Sequence, residues 1–298
     1  MEVRRKQNTH YKMETSDRHH YIPRFLIKNF SDSDNKLWVY NKEERRILKN
    51  KQSPKSIFFE WGRNTFNING KPSDNIEKIY GALDDLYAKT LDRILKTQTM
   101  AGSELTLMIS LVSLIKWRIP KADDIFNNLK DIPIENLGAD ILPVDKNVKV
   151  DNNEINRIKD MEIVKETKRL LLSIQPLLKE DVLDEIHKNC FIVSFDEFPA
   201  LLGDCPIIES PNSGFETLEN FIFPLSTNDT LICKRGAEKS ISQKLFYIQK
   251  DLTVFHLSNK YVACKNREQL EKIAEIYLRL EKENKTNLLT KYVFEFIK

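Results

Sequence analysis

The chain has 298 residues, 41% of them apolar and 31% charged, with a formal net charge of +3. This is enough apolar material for one large core or two modest ones. The near balance of charge excludes a global basic field that would bind nucleic acid unspecifically, and leaves only local patches.

Residues 1–16 are polar and aperiodic, so they are expected to form a flexible arm. The basic residues after Met1 are followed by no apolar stretch, and no secretory signal is expected. The longest apolar run, 105–115, is too short for the roughly 30 Å of bilayer hydrocarbon. The expectation is a cytoplasmic protein without a membrane partner. Four cysteines, Cys190, Cys205, Cys233 and Cys264, are widely spaced with no Cys-x-x-Cys pair. That argues against a zinc ribbon or a small disulfide scaffold and predicts reduced thiols buried in strands.

The densest chemistry lies at 17–30, Asp-Arg-His-His-Tyr-Ile-Pro-Arg-Phe-Leu-Ile-Lys-Asn-Phe. Pro23 suits the first turn of a short helix through Phe25, Leu26 and Phe30. This sets His19 and His20 just ahead of a helix N-terminus, where amides and dipole favour an anion. The runs 37–40 and 46–48 flank a charged tip and read as a hairpin. Residues 67–72, rich in Asn, Gly and Pro, read as a turn. Ile76, Ile79, Tyr80, Leu83, Leu86, Tyr87, Leu91, Ile94 and Leu95 recur at helical spacing over 75–96. A second helix, 104–117, is apolar around nearly its whole circumference and should be buried, ending before Pro120.

A connector is expected at 131–153, then a helix at 154–174 and a short one at 180–188. Beyond these the pattern shifts to short β-rich runs, among them 191–193, 200–202, 207–208, 221–223, 231–233, 254–256 and 261–263. A last long helix carries Leu270, Ile273, Ala274, Tyr277 and Leu280. Helices first, strands second and one closing helix define an α+β fold, with a helical N-terminal half packed on a mostly antiparallel sheet from the C-terminal half. Residues 17–298 read as one domain of two lobes, 17–130 and 154–298.

The string His-His-Tyr-Ile-Pro-Arg-Phe-Leu-Ile-Lys-Asn-Phe at 19–30 resembles the opening signature of an uncharacterised, mainly bacterial family catalogued as domain of unknown function 4238. Trp117-Arg118-Ile119-Pro120, the Leu-Gly-Asp-Cys-Pro-Ile-Ile segment at 202–208 and Phe-Ile-Phe-Pro-Leu-Ser at 221–226 are similar to the same family. Where that family reads something like Ser-Asp-Asn-Pro, this chain has Gly203-Asp204-Cys205-Pro206, so Asp204 and Pro206 alone carry over. The resemblance implies membership over most of the chain and assigns no activity. The opening string is also similar to that of His-Asn-His nucleases, but no histidine follows His20 until His187, and the zinc-bound fold of those enzymes is not implied.

Adjacent histidines in extended chain point opposite ways, so at most one of His19 and His20 is expected to touch the reacting centre. His20 is the candidate general base, general acid or metal ligand, with a core histidine bonded to a backbone carbonyl as the alternative. Arg118 ends a buried helix, where its guanidinium requires a carboxylate or a bound anion, and Arg24 is a second cation for anionic oxygens. Asp204, in a turn between strands, can ligate a metal, move a proton or cap backbone. Ser226 offers a hydroxyl to a ligand or to its own turn. His187 and His256 read as structural, and no glycine-rich phosphate loop occurs.

Two functions follow. In the first, the chain is a nuclease or other phosphodiester- or phosphate-acting hydrolase, of the defence or toxin type. His20, Asp204 and Arg118 are then catalytic, Arg24, His19 and Ser226 bind a nucleic acid or nucleotide, and the cofactor is a divalent metal such as magnesium or manganese. In the second, it is a non-catalytic sensor or adaptor binding a small anion or a partner protein.

Overall fold

A computed structural model describes residues 18–68, 70–142, 151–178, 184, 187–211, 218–238, 241 and 243–298. The arm expected at 1–16 and most of the helix expected at 180–188 lie outside the described residues, as does the 143–150 part of the connector.

The chain starts with a short strand, β1 (Arg18–His20), and a five-residue helix, α1 (Arg24–Lys28), which buries Leu26 and Ile27. The expected hairpin is β2 (Trp38–Asn41) with β3 (Arg46–Ile47). Next, β4 (Phe59–Trp61) pairs with β1, so the histidines lie in a strand that runs just ahead of α1, whose N-cap is Pro23. The segment read as a turn at 67–72 is a small hairpin, β5 (Phe66–Ile68) with β6 (Lys71–Ser73).

The two helices with the clearest periodicity then form. Helix α2 (Asn75–Thr97) buries Ile76, Tyr80, Tyr87, Leu91 and Ile94 on one face. Helix α3 (Gly102–Arg118) is buried around most of its surface, as a helix apolar on all sides must be, and it packs on α2. It stops where Ile119, preceding Pro120, takes extended geometry. A short α4 (Asp123–Leu129) follows. The helix expected at 154–174 is two, α5 (Asn152–Lys159) and α6 (Glu162–Ile174), the second lying against α3.

Two four-stranded antiparallel sheets follow. One runs β7 (Cys190–Ser194), β11 (Asp229–Cys233), β10 (Phe221–Pro224), β9 (Ile208–Glu209). The other runs β3, β2, β12 (Tyr261–Cys264), β8 (Leu202–Gly203). Register Cys264↔Trp38 to Tyr261↔Asn41 therefore joins the early hairpin to strands from the end of the chain. The fold is α+β, closed by α7 (Gln243–Leu257), α8 (Arg267–Lys282) and α9 (Leu289–Glu295).

Two expectations are corrected. Residues 254–256 are not a strand but the end of α7, which places His256 on a helix. A three-residue apolar run cannot separate a buried strand from a buried helix, and α7 packs against α8, α9 and both sheets. Cys190 and Cys233 are not reduced: they stand opposite each other in the β7–β11 register, Cα atoms 4.1 Å apart, and form a disulfide. Antiparallel pairing brings into opposition residues 43 apart in the chain, which spacing alone does not reveal. Cys205 and Cys264 are free and buried.

Gly203 is required by close approach. A Cβ there would collide with Ser258 Oγ and come within 3.1 Å of Val254 Cγ1, both on or next to α7. Among the described residues no helix is long and apolar enough to cross a membrane.

Candidate functional site

Strand alternation sorts the histidines. In the β1–β4 register, Arg18 faces Trp61, His19 faces Glu60 and His20 faces Phe59, so Arg18, His20, Phe59 and Trp61 share one side of the ribbon. His19 points the other way and is fully buried; its Nδ1 accepts the Asn64 amide at 2.7 Å. The ring proton is then on Nε2, which has no hydrogen-bond partner.

His20 Nε2 lies 3.1 Å from the Pro54 carbonyl. A carbonyl can only accept, so Nε2 donates. Burial foremost, then the positive field of Arg24, lowers the imidazole pKa to about 4; Arg118 and Arg18 push the same way, and the bond to Pro54 opposes them. His20 is neutral near pH 7.

Beside Pro54 a cleft of about 600 Å³ opens between α1, α2 and the turns around residues 34–36 and 53–55. Arg24 and Lys28 are one helical turn apart on α1 and project from the side opposite its buried Leu26 and Ile27. Gly81, Asp84, Asp85 and Ala88 line the opposite wall from one face of α2, where the small Gly81 and Ala88 leave room. Lys36 and Lys55 enter from the two turns. The side chains of Arg24, Lys28, Lys36 and Lys55 make no ion pair or hydrogen bond among the described residues.

Asp84 in the cleft wall is one half of an ion pair. Arg118, 2% exposed, donates through Nη1 to both Asp84 oxygens at 3.1 Å and lies 4.4 Å from the Tyr80 ring centroid. Burial raises the Asp84 carboxyl above the usual carboxylate range, against the pull of Arg118. Because Arg118 neutralises Asp84, the exposed acids of the cleft are Asp34 and Asp85, against four cations.

Two expected site residues lie elsewhere. Asp204 follows β8, and its carboxylate accepts the amides of Asn259 (2.7 Å), Lys260 (2.7 Å) and Tyr261 (2.8 Å). Burial raises its pKa and the three backbone bonds counter that shift. Ser226 donates to Asp229 Oδ2 at 2.6 Å and accepts the Asn228 and Asp229 amides at 3.0 Å, closing the turn between β10 and β11. Neither residue lines the cleft. Among the described residues no three His, Cys, Asp or Glu side chains are grouped to hold a metal ion. The oxygens of Asp204 are already committed to backbone, so this carboxylate does not fit the ligand role expected of it.

The structure thus gathers Arg24, Arg118 and His20 at or beneath one cleft and separates Asp204 and Ser226 from it. Lys28, Lys36, Lys55 and Asp84 were not foreseen. Lys28 carries a faint signal, four residues after Arg24 in the opening motif; Lys36 and Lys55 carry none, because only the packing of two turns brings them in.

The family model described as Protein of unknown function (DUF4238) matches residues 18–272. No curated protein and no solved structure matches the chain.

Proposed function

Because the chain belongs to the DUF4238 family, whose description carries no activity, we propose its function from the cleft: it binds a phosphate-bearing ligand between α1 and α2. The observation that carries this reading is the convergence of Arg24, Lys28, Lys36 and Lys55, none of them in an ion pair among the described residues, on one opening of about 600 Å³ whose exposed acids are Asp34 and Asp85 alone. Unpaired cations held close together repel one another, and a polyanion relieves that repulsion. The fork of Arg24 suits two phosphate oxygens at once, and the lysines supply point charges around them. His20 is a positioning residue: its bond to Pro54 holds the turn that carries Lys55.

Binding without hydrolysis, as in a sensor or adaptor, is what this arrangement supports best. Cleavage of a phosphodiester needs a group that takes a proton from the attacking nucleophile. A base with a pKa of about 4, as for His20, is weak for that task near neutral pH, and Asp204 is engaged elsewhere.

The test is titration calorimetry with pyrophosphate at low salt, on the native chain and a Lys28→Glu/Lys55→Glu variant. Saturable binding, weakened by added salt and reduced at least about tenfold in the variant, is expected. No heat of binding to the native chain refutes the reading. Incubation with DNA, RNA and nucleotides, with and without magnesium or manganese, is the companion assay; turnover there returns the case to a phosphodiester-cleaving enzyme.

A further inference from the structure

Large aromatic side chains are mostly buried in this protein, and Trp61 is not: it is 65% exposed at the end of β4. It meets Phe59 edge to face with ring centroids 5.5 Å apart. The Arg18 guanidinium lies 5.2 Å from the Phe59 centroid and 5.0 Å from that of Trp61. Register puts these three on the same side of the β1–β4 ribbon as His20. His20 in turn is 5.6 Å from Phe59, centroid to centroid, and bonded to Pro54, which lines the cationic cleft. An exposed indole and an arginine at one end of this ribbon face are thus linked, through the buried His20 ring and Pro54, to the cationic cleft.

We infer that the outer face of the β1–β4 ribbon is a base-stacking platform continuous with the cleft, and that the ligand is a single-stranded nucleic acid. The inference rests on the phosphate-binding reading of the cleft and adds the base. Trp61, 65% exposed, offers an indole on which a base can stack, Arg18 adds positive charge beside it, and Arg24 and Lys55 in the cleft supply cations for the phosphates. This chemistry discriminates among polyanions. An acidic peptide uses the cations and leaves the indole idle, whereas a duplex keeps its base faces stacked inside and cannot offer one.

The experiment is fluorescence anisotropy with labelled oligothymidylate and oligouridylate of about twelve nucleotides, long enough to span a single-strand site. Inorganic polyphosphate competes as a chain without bases. The variants are Trp61→Ala, Trp61→Phe and Lys28→Glu/Lys55→Glu; Trp61 is exposed enough for its replacement to leave folding intact. Trp61→Ala is expected to weaken oligonucleotide binding by about tenfold or more while leaving polyphosphate unaffected, and Trp61→Phe to restore most of the loss. The charge-reversed variant is expected to lose both ligands. Unchanged oligonucleotide affinity in Trp61→Ala, or equal affinity for a duplex of the same length, overturns the platform and leaves the cleft standing. Polyphosphate binding without oligonucleotide binding does the same. Failure of the native chain to bind either probe removes both.

Discussion

Replacement of Asp204 separates a structural carboxylate from one held in reserve for chemistry. Asp204→Ala removes the acceptor of three backbone amides, at 2.7, 2.7 and 2.8 Å. A buried amide left unpaired costs about 1–3 kcal/mol, and bonds to a charged acceptor lie at the upper end. Asn259 and Lys260 are exposed, so water recovers part of their loss; Tyr261, the first residue of β12, recovers less. The sum comes to about 2–4 kcal/mol. Asp204→Asn can turn its carbonyl oxygen to Lys260 and Tyr261, which share one carboxylate oxygen, so that its amide group opposes Asn259 alone. About one bond is lost, or roughly 1–2 kcal/mol. Urea unfolding followed by circular dichroism measures both, with the slope unchanged and the midpoint falling in the order native, Asn, Ala. An Ala variant with the native midpoint would show that the three amides do not depend on Asp204, and the reasoning would fail.

Three further outcomes are expected. Asp84→Ala strands the Arg118 guanidinium in the interior and should cost about 3–5 kcal/mol, whereas the double variant Asp84→Ala/Arg118→Met should lose less than the sum of the two single changes; additive losses in the cycle count against the pair. His20 is held neutral with its pKa lowered from 6.5 to about 4, so the unfolded chain takes up its proton first as pH falls. Its contribution to stability is therefore complete above pH 6.5 and lost between pH 6.5 and about 4, and the difference in Tm between the native chain and His20→Gln should narrow across that window; a constant difference is the contrary result. Alkylation in denaturant without reductant should label Cys205 and Cys264 only, with Cys190 and Cys233 reacting after reduction; mass spectrometry showing four labels at once contradicts the disulfide.

Patterning along the chain by itself determined the α+β class, the long helices α2 and α3, the β2–β3 hairpin and the closing helix α8, but not α7. Each depends on neighbours a few residues apart, and helical or strand periodicity is a local property. It also marked Arg118 as a buried cation in need of a counterion, and set His19 and His20 on opposite sides. Only the tertiary structure decided the partners. Asp84, 34 residues before Arg118, is chosen by the packing of α2 on α3; Pro54 meets His20 because β1 pairs with β4; and Asp204 meets its three amides where the chain turns into β12. The convergence of Arg24, Lys28, Lys36 and Lys55 on one cleft has no trace in the sequence, where they stand among acidic residues such as Asp32 and Asp34. Whether a charge is answered depends on which distant side chains reach it through space, and that is settled when the elements pack.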